Sequence, residues 1–153
     1  MHLKIGDVAP DFRGKTTDDT ETSLADFRGK KLVLYFYPMG FSPSCTMQAC
    51  SLRDHGQQIR AKGAEILGVS TQRAASHQSF TKKYHLNFPL LADTNMATAR
   101  AYGVAGRGLF GGVMAAMGIV ARVTFIVDEQ GKIAHIINSP NIPNHGEQVL
   151  ALL

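Results

Sequence analysis

Runs of apolar residues alternate with polar stretches along the chain, and their lengths indicate the elements that they form. Residues 32–37 are a continuous run of aliphatic and aromatic side chains closed by Pro38, which is typical of a strand buried on both faces of a parallel sheet. Residues 65–70 form a second strand-like run. Residues 43–62 predict one helix capped by Gly63, although Gly56 weakens its helix propensity by ~1 kcal/mol. A strand, a helix and a strand in this order predict a right-handed βαβ unit.

The second half of the chain predicts helices over residues 74–85 and 95–102, and then two strands over residues 123–127 and 132–137. A short turn containing Gly131 joins these strands into a β-hairpin. Residues 145–153 are amphipathic and predict a last helix. This order is the layout of a thioredoxin-like α/β fold, in which helices flank a central mixed β-sheet. No repeat or linker divides the sequence, so we expect a single domain over residues 1–153.

Composition and charge narrow the class of protein. The 153 residues are 44% apolar, enough to bury a core without disulfide or metal staples. The formal net charge is +4 but the basic residues are scattered, so nucleic acid is not an expected partner. The start of the chain lacks the apolar segment of a signal peptide, and the apolar residues 109–121 fall short of the ~20 residues that span a bilayer. We therefore expect a cytoplasmic protein without a membrane segment.

The chain has two cysteines, Cys45 and Cys50, and one close pair in a chain of this size indicates redox chemistry in a reducing compartment. Ser42 is a strong helix N-cap and Pro43 favours the first helical position, so Cys45 falls on the third residue of the predicted helix. Its sulfur then lies beside unpaired N–H groups at the positive end of the helix dipole, where a thiolate is favoured. Cys45 is therefore a candidate nucleophile. The alternative is a small apolar side chain buried in a first turn.

Cys50 lies five residues after Cys45, a spacing that in a helix separates the two Cα atoms by ~8–9 Å. A disulfide requires less than ~7 Å, so the two cannot bond while the helix is intact. If they react, the first turns must unwind; otherwise Cys50 is an inert core residue. No metal site is expected, because the pair is not C-x-x-C and no second pair exists. The six histidines show no ligand spacing and are expected at the surface: His2, His55, His77, His85, His135 and His145.

Several segments resemble the peroxiredoxins, and most closely their PrxQ subfamily, also called bacterioferritin comigratory protein. They are Gly6-Asp7-Val8-Ala9-Pro10-Asp11-Phe12, Tyr35-Phe36-Tyr37-Pro38, Ser42-Pro43-Ser44-Cys45-Thr46, Gln48-Ala49-Cys50, Arg53-Asp54, Met117-Gly118-Ile119 and Arg122-Val123-Thr124-Phe125. The resemblance covers nearly the whole chain. It implies a thioredoxin-dependent thiol peroxidase that reduces hydrogen peroxide and organic hydroperoxides in antioxidant defence.

Carried over to this sequence, the resemblance makes Cys45 the peroxidatic cysteine and Cys50 the resolving cysteine, which together form an intramolecular disulfide. Pro38 would shield the thiolate, while Ser42, Arg122 and the backbone amides of Ser44 and Cys45 would contact the peroxide. Taken by itself, Arg122 would be an ordinary surface arginine. Two positions depart from the subfamily pattern: Ser42 stands where threonine is usual, and Ser44 where glycine is commoner. Serine keeps the hydroxyl, so we expect activity to survive with looser positioning.

No metal, haem or flavin is required by this chemistry, and the resemblance implies a monomer with thioredoxin or a similar dithiol as its partner. A non-catalytic redox sensor or binding module that uses the same reactive pair is the alternative function. A thiol–disulfide oxidoreductase is disfavoured because C-x-x-C is absent.

Overall fold

A mixed five-stranded sheet forms the centre of the protein, seen here in a computed structural model that describes residues 3–105 and 119–153. A separate hairpin near the start consists of β1 (Arg13–Lys15) and β2 (Glu21–Ser23). The sheet itself contains β3 (Lys31–Phe36), β4 (Ala64–Ser70), β5 (Leu90–Ala92), β6 (Val123–Val127) and β7 (Ile133–Ile137). Its order is β5-β4-β3-β6-β7, with β4 parallel to both β3 and β5, and β6 antiparallel to both β3 and β7.

Five helices and two short 3-10 turns complete the part of the chain that the structure describes. The helices are α1 (Pro43–Asp54), α2 (Gly56–Ala61), α3 (Ala74–Tyr84), α4 (Ala97–Ala101) and α5 (His145–Leu150). The 3-10 turns are Leu24–Phe27 and Ile142–Asn144. None of the helices in residues 3–105 and 119–153 is long and apolar enough to cross a membrane.

Alternation along β3 divides the core into two halves, one on each face of the sheet. Leu32, Leu34 and Phe36 face α4 and the N-terminal segment, whereas Val33 and Tyr35 face the other helices. That second half contains Cys45 of α1 together with buried residues of α2, α3 and α5. A strand apolar at every position from Leu32 onward is therefore explained by helices on both sides of it, and the thioredoxin-like arrangement predicted from the sequence is confirmed.

Two features of the predicted elements are wrong or incomplete. The single helix predicted over residues 43–62 is interrupted at His55, so that α1 ends at Asp54 and α2 begins at Gly56. Strand β5 and the hairpin of β1 and β2 were not predicted, because segments of three residues are too short to show a period. The apolar stretch 109–121, including the segment resembling the peroxiredoxins at Met117, lies largely outside the described residues.

The expectation that the histidines lie at the surface is wrong for two of them. His145 is fully buried, and its ring hydrogen-bonds Thr124 Oγ1 at 2.9 Å and Gln148 Oε1 at 2.9 Å. His77 is also buried, with its ring 6.2 Å from that of Tyr37, and burial lowers the pKa of His77 from 6.5 to about 4. Both rings occupy core positions. His145 has hydrogen-bond partners there, and His77 is a neutral aromatic side chain. His2 lies outside the described residues.

Candidate active site

The N-terminus of α1 places Cys45 where the sequence predicts it. Ser42 is the N-cap with extended backbone, Pro43 follows at the first helical position, and the Cys45 amide donates to Ser42 Oγ at 3.3 Å. Cys45 thus lies in the first turn, beside the N–H groups that a helix leaves without intrahelical partners. Its side chain is only 1% exposed. The thiol is therefore held at a helix N-terminus but largely shielded from bulk water.

Arg122, which follows Cys45 by 77 residues in the sequence, places its guanidinium cation beside this thiol. β6 pairs with β3 in a register that sets Val123 opposite Phe36. Arg122 therefore lies beside the C-terminal end of β3, where the chain leaves the sheet toward α1. Arg122 Nη2 donates to Cys45 Sγ at 3.2 Å and to Ser44 Oγ at 3.1 Å. A guanidinium in this position stabilises negative charge on the sulfur and on any oxygen bound to it.

Gln48 is a site residue that the sequence reasoning missed. It is fully buried, and its Oε1 accepts from Arg122 Nη1 at 2.6 Å. The contact fixes the plane of the guanidinium, because one nitrogen is held by Gln48 while the other reaches Ser44 and Cys45. Spacing offered a signal, since residues three apart in a helix share a face and Gln48 follows Cys45 by three.

The hydroxyl of Ser42 has a defined hydrogen-bonding role. It donates its proton to the Met39 carbonyl at 3.0 Å and accepts from the Cys45 amide. A hydroxyl carries one proton and two lone pairs, so one lone pair remains for a further donor. The Cys45 amide, one of the two amides predicted to contact substrate, is engaged with this cap, and a bound ligand would share it. Pro38, predicted as a shield, is half-buried directly beyond the run of buried residues that ends β3.

Cys50 lies on the same unbroken helix as Cys45, and both are free thiols. Cys50 is partly buried, whereas Cys45 is buried. The presence of both thiols within α1 agrees with the spacing argument that an intact helix keeps them apart.

The C-terminal half of α1 is hydrogen-bonded to α3, to the segment after it and to α5. Ser51 Oγ accepts from the Gly146 amide at 2.9 Å, which ties α1 to α5. Arg53 Nη1 donates to the Tyr84 carbonyl at 2.6 Å, and the Arg53 carbonyl accepts from Asn87 Nδ2 at 3.1 Å. These bonds hold α1 from residue 51 onward against α3, the segment after it, and α5.

Two tyrosines form part of the apolar floor behind the thiol. Burial raises the pKa of both Tyr35 and Tyr37 well above its ordinary value, with smaller contributions from the charges of Tyr37 and Cys45 on Tyr35 and of Cys45 on Tyr37. Their rings stack with centroids 5.3 Å apart. Both phenols therefore stay neutral and provide a rigid wall against which α1 packs.

Comparison with known proteins agrees with the fold. The AhpC/TSA family model matches residues 5–136. Peroxiredoxin Bcp of Escherichia coli K12 is 36% identical over 148 residues, which are 97% of this chain and 94% of that protein. The crystal structure of peroxidoxin BcpB from Mycobacterium tuberculosis is similar at a TM-score of 0.86 and 30% identity, covering 99% of this chain and 96% of that one.

A second similar structure is that of the bacterioferritin comigratory protein of Xanthomonas campestris, studied for its alkyl peroxide reduction activity. It has a TM-score of 0.81 and 27% identity, over 92% of this chain and 88% of that one. Because the family model spans most of the sequence and a curated relative matches nearly end to end, the chain belongs to the AhpC/TSA family, where its relatives are Bcp-type peroxiredoxins.

Proposed function

We propose that this protein is a thiol peroxidase that reduces hydrogen peroxide and organic hydroperoxides, with Cys45 as the nucleophile and thioredoxin or a similar dithiol as the reductant. The observation that carries the proposal is the 3.2 Å contact between Arg122 Nη2 and Cys45 Sγ in the first turn of α1. Support also comes from the family membership and from the alkyl peroxide reduction activity of the Xanthomonas campestris relative.

In the first step the Cys45 thiolate attacks the terminal oxygen of the peroxide. A sulfur–oxygen bond forms as the oxygen–oxygen bond breaks, and the departing oxygen takes a proton and leaves as water or an alcohol. Arg122 is placed to stabilise the charge that grows on that oxygen, as preorganised donors do in other transition states. The remaining lone pair of Ser42 Oγ can accept the peroxide O–H, and the Ser44 and Cys45 amides are further candidate donors. Pro38 would limit the access of water.

In the second step the Cys45 sulfenic acid condenses with the Cys50 thiol, which gives a disulfide and one molecule of water. The intact helix keeps these sulfurs apart, so the first two turns of α1 must unwind before the bond forms. A dithiol protein then reduces the disulfide by exchange and restores both thiols. The cytoplasmic location expected from the sequence belongs to the same proposal, since a reducing compartment supplies such dithiols. The monomeric state that the resemblance implies belongs to it as well.

Peroxide-dependent NADPH consumption through thioredoxin and thioredoxin reductase tests this function. Cys45→Ser is expected to abolish turnover. Cys50→Ser is expected to react with peroxide without sustained NADPH consumption, because the nucleophile remains but the disulfide cannot form. Full turnover in Cys45→Ser would refute the peroxidase. If the parent protein formed the disulfide with peroxide but thioredoxin did not sustain turnover, the redox-sensor alternative would be favoured.

Arg122→Lys tests the contact on which the proposal rests. Lysine keeps the charge but loses the planar fork that reaches Gln48, Ser44 and Cys45 together, so kcat/KM for peroxide is expected to fall about 10²–10³-fold. Arg100→Lys is a matched control, since its guanidinium donates to the backbone carbonyl of Asn95 and the residue is exposed. A rate equal to that of the parent in Arg122→Lys would remove Arg122 from the mechanism.

A further inference from the structure

The loop before α1 is fixed to α3 by an aromatic cluster that the peroxidase mechanism does not use. We infer that Phe41 is a positioning residue that sets how often the first turns of α1 open, and thereby how the oxidised Cys45 partitions between the disulfide and irreversible over-oxidation. This inference rests on the proposed function.

Phe41 packs edge-to-face against α3 although its side chain is 41% exposed. Its ring centroid lies 5.1 Å from that of Phe80 and 6.3 Å from that of Tyr84, and the last two lie 5.3 Å from one another. Lys83 Nζ lies 5.9 Å from the Phe41 ring centroid and 5.6 Å from that of Tyr84. Ring pairs at these distances attract, and the cation adds to the attraction.

A second contact fixes the same loop beside Phe41. The Gly40 amide donates to Gln72 Oε1 at 2.7 Å, and a Cβ at Gly40 would lie 3.6 Å from the Phe80 ring. Gly40 and Phe41 therefore both rest on Phe80, which is 1% exposed. The loop that carries the Ser42 cap is held to the segment that precedes α3 and to α3 itself.

The backbone of Phe41 opposes this packing. Its φ is +66°, in the left-handed region that a bulky L-residue adopts only under constraint from its surroundings. The strain exists only while the loop keeps its shape, because an unwound chain can return to ordinary backbone angles. The ring contacts of Phe41 thus stabilise the closed helix, whereas its backbone strain destabilises it. The ring contacts outweigh the strain.

The anchors of α1 define which part of the helix this balance controls. From Ser51 onward the helix is bonded to Gly146, and Arg53 is bonded to Tyr84 and Asn87. Before Ser51, the segment 43–50 with both cysteines is held by the burial of Cys45, Gln48 and Ala49, by Arg122 and by the loop at Phe41. When the ring of Phe41 leaves Phe80, segment 43–50 loses one of these restraints and unwinds more readily, while the rest of α1 stays in place.

Opening matters because the Cys45 sulfenic acid has two fates. It can react with the Cys50 thiol, losing water to form the disulfide, which requires the open segment. It can instead react with a second peroxide, which oxidises it to the sulfinic acid and is itself reduced to water or an alcohol. The second reaction needs the same donors as the first, and Arg122 lies beside Cys45 Sγ in the closed helix, so weaker packing at Phe41 favours the disulfide.

The test uses the full chain, mixed with increasing hydrogen peroxide in the presence of the thioredoxin system and quenched by alkylation. Intact mass then gives the ratio of sulfinic acid to disulfide. Phe41→Ala is expected to lower that ratio about threefold to tenfold at a given peroxide concentration, the range expected from one edge-to-face ring pair. The rate of the first peroxide reaction is expected to stay within about twofold of the parent, because Phe41 touches no reacting group.

Three further variants separate the ring from the backbone. Phe41→Tyr keeps the ring and is expected to match the parent ratio. Phe41→Gly removes ring and strain together, so its ratio is expected between those of the parent and Phe41→Ala. Met39→Ala removes a side chain of similar exposure, 48%, from the same loop and is expected to leave the ratio unchanged. Tyr84→Ala removes a second ring of the cluster and lowers the ratio in the same direction, which provides the measurement should Phe41→Ala fail to fold.

An unchanged ratio in both Phe41→Ala and Tyr84→Ala would overturn the inference, as would an equal shift in Met39→Ala. A ratio in Phe41→Gly below that in Phe41→Ala would overturn the role of backbone strain. The failure of the proposed function looks different: the parent protein itself would then show no peroxide-dependent mass change at Cys45.

Discussion

The hydroxyl of Ser42 caps α1, and we propose that it also contacts the peroxide. The hydroxyl caps the helix by accepting a hydrogen bond from the Cys45 amide, and it donates its own proton to the Met39 carbonyl. The side chain therefore offers a peroxide an acceptor and not a donor. A threonine, which is usual at this position in the subfamily that the sequence resembles, would keep both oxygen contacts and add a methyl that restricts χ1.

Substitution of Ser42 separates these roles. Ser42→Thr is expected to match or exceed the parent in kcat/KM, because the hydroxyl is retained and held more rigidly. Ser42→Ala is expected to lose about 0.5–2 kcal/mol of unfolding free energy with the cap, and about tenfold in kcat/KM with the hydrogen bond. Stopped-flow oxidation of the reduced thiol and urea unfolding measure the two effects. A Ser42→Ala protein as active as the parent would place Ser42 in the cap alone.

The residues of the site differ in how far the sequence alone could place them. Cys45 could be placed at the third helical position because Ser42 and Pro43 act on their immediate neighbours. Arg122 lies 77 residues away from Cys45, and its place depends on the pairing of β6 with β3. Local propensity carries no information on that register, so only the family resemblance indicated Arg122. The roles assigned to these residues remain predictions.

The helix α1 is shaped as much by its neighbour α5 as by its own sequence. A Cβ at Gly146 would lie 2.4 Å from the Ser51 carbonyl oxygen and 2.5 Å from His55 Nδ1. The two helices therefore approach each other more closely than any side chain at Gly146 would permit. This approach sits beside the interruption at His55, where α1 gives way to α2.

Gly146→Ala is expected to destabilise the protein by about 1–3 kcal/mol, since overlap with backbone and ring atoms forces α5 away from α1. The sign is informative, because alanine in an open helix position would stabilise by about 0.5–1 kcal/mol. Denaturant unfolding measures the change. Gly131→Ala is the comparison that tests the backbone angle alone, because Gly131 has a φ of +82° and no atom lies near the added carbon. A Gly146→Ala protein more stable than the parent would contradict the close approach.

Elements with a long apolar run were predictable, and those set by tertiary contacts were not. The strands β3, β4, β6 and β7 follow from continuous apolar runs and turn residues, and the structure confirms them within one residue at each end. The interruption at His55 lies next to Gly56, whose low helix propensity the sequence shows, and against α5, which begins 90 residues further along the chain. Strand β5 has three residues and owes its place to pairing with β4.

The molecule as a whole keeps several polar groups in its interior, and they make its stability depend on pH. His77 is buried, and burial lowers its pKa to about 4. Burial also lowers the pKa of His145, with the charge of Arg122 adding to the shift and the bond to Gln148 opposing it. The unfolded chain takes up protons at both histidines near pH 6.5, whereas the folded chain resists them. The folded state must therefore lose stability as the pH falls below that value.

His77→Phe is expected to reduce this acid sensitivity. Between pH 7 and about pH 4.5, the parent should lose about 2–3 kcal/mol of unfolding free energy through His77, from the difference between 6.5 and about 4 in pKa. Phenylalanine keeps an aromatic ring against Tyr37 and cannot take up a proton. Urea unfolding of parent and variant at both pH values isolates the contribution, because the carboxylates are common to both. An equal loss in the two proteins would show that His77 is not the source.

The anchoring of α1 at Ser51 has a consequence for whatever reduces the protein. If the oxidised chain differs from the reduced one only before that residue, then the sheet, the other helices and the second half of α1 are identical in the two states. A reductant that recognised a folded surface there could not tell them apart. On this proposal a short unfolded loop closed by a disulfide distinguishes the oxidised protein, and its reductant would bind an extended peptide and release a helix.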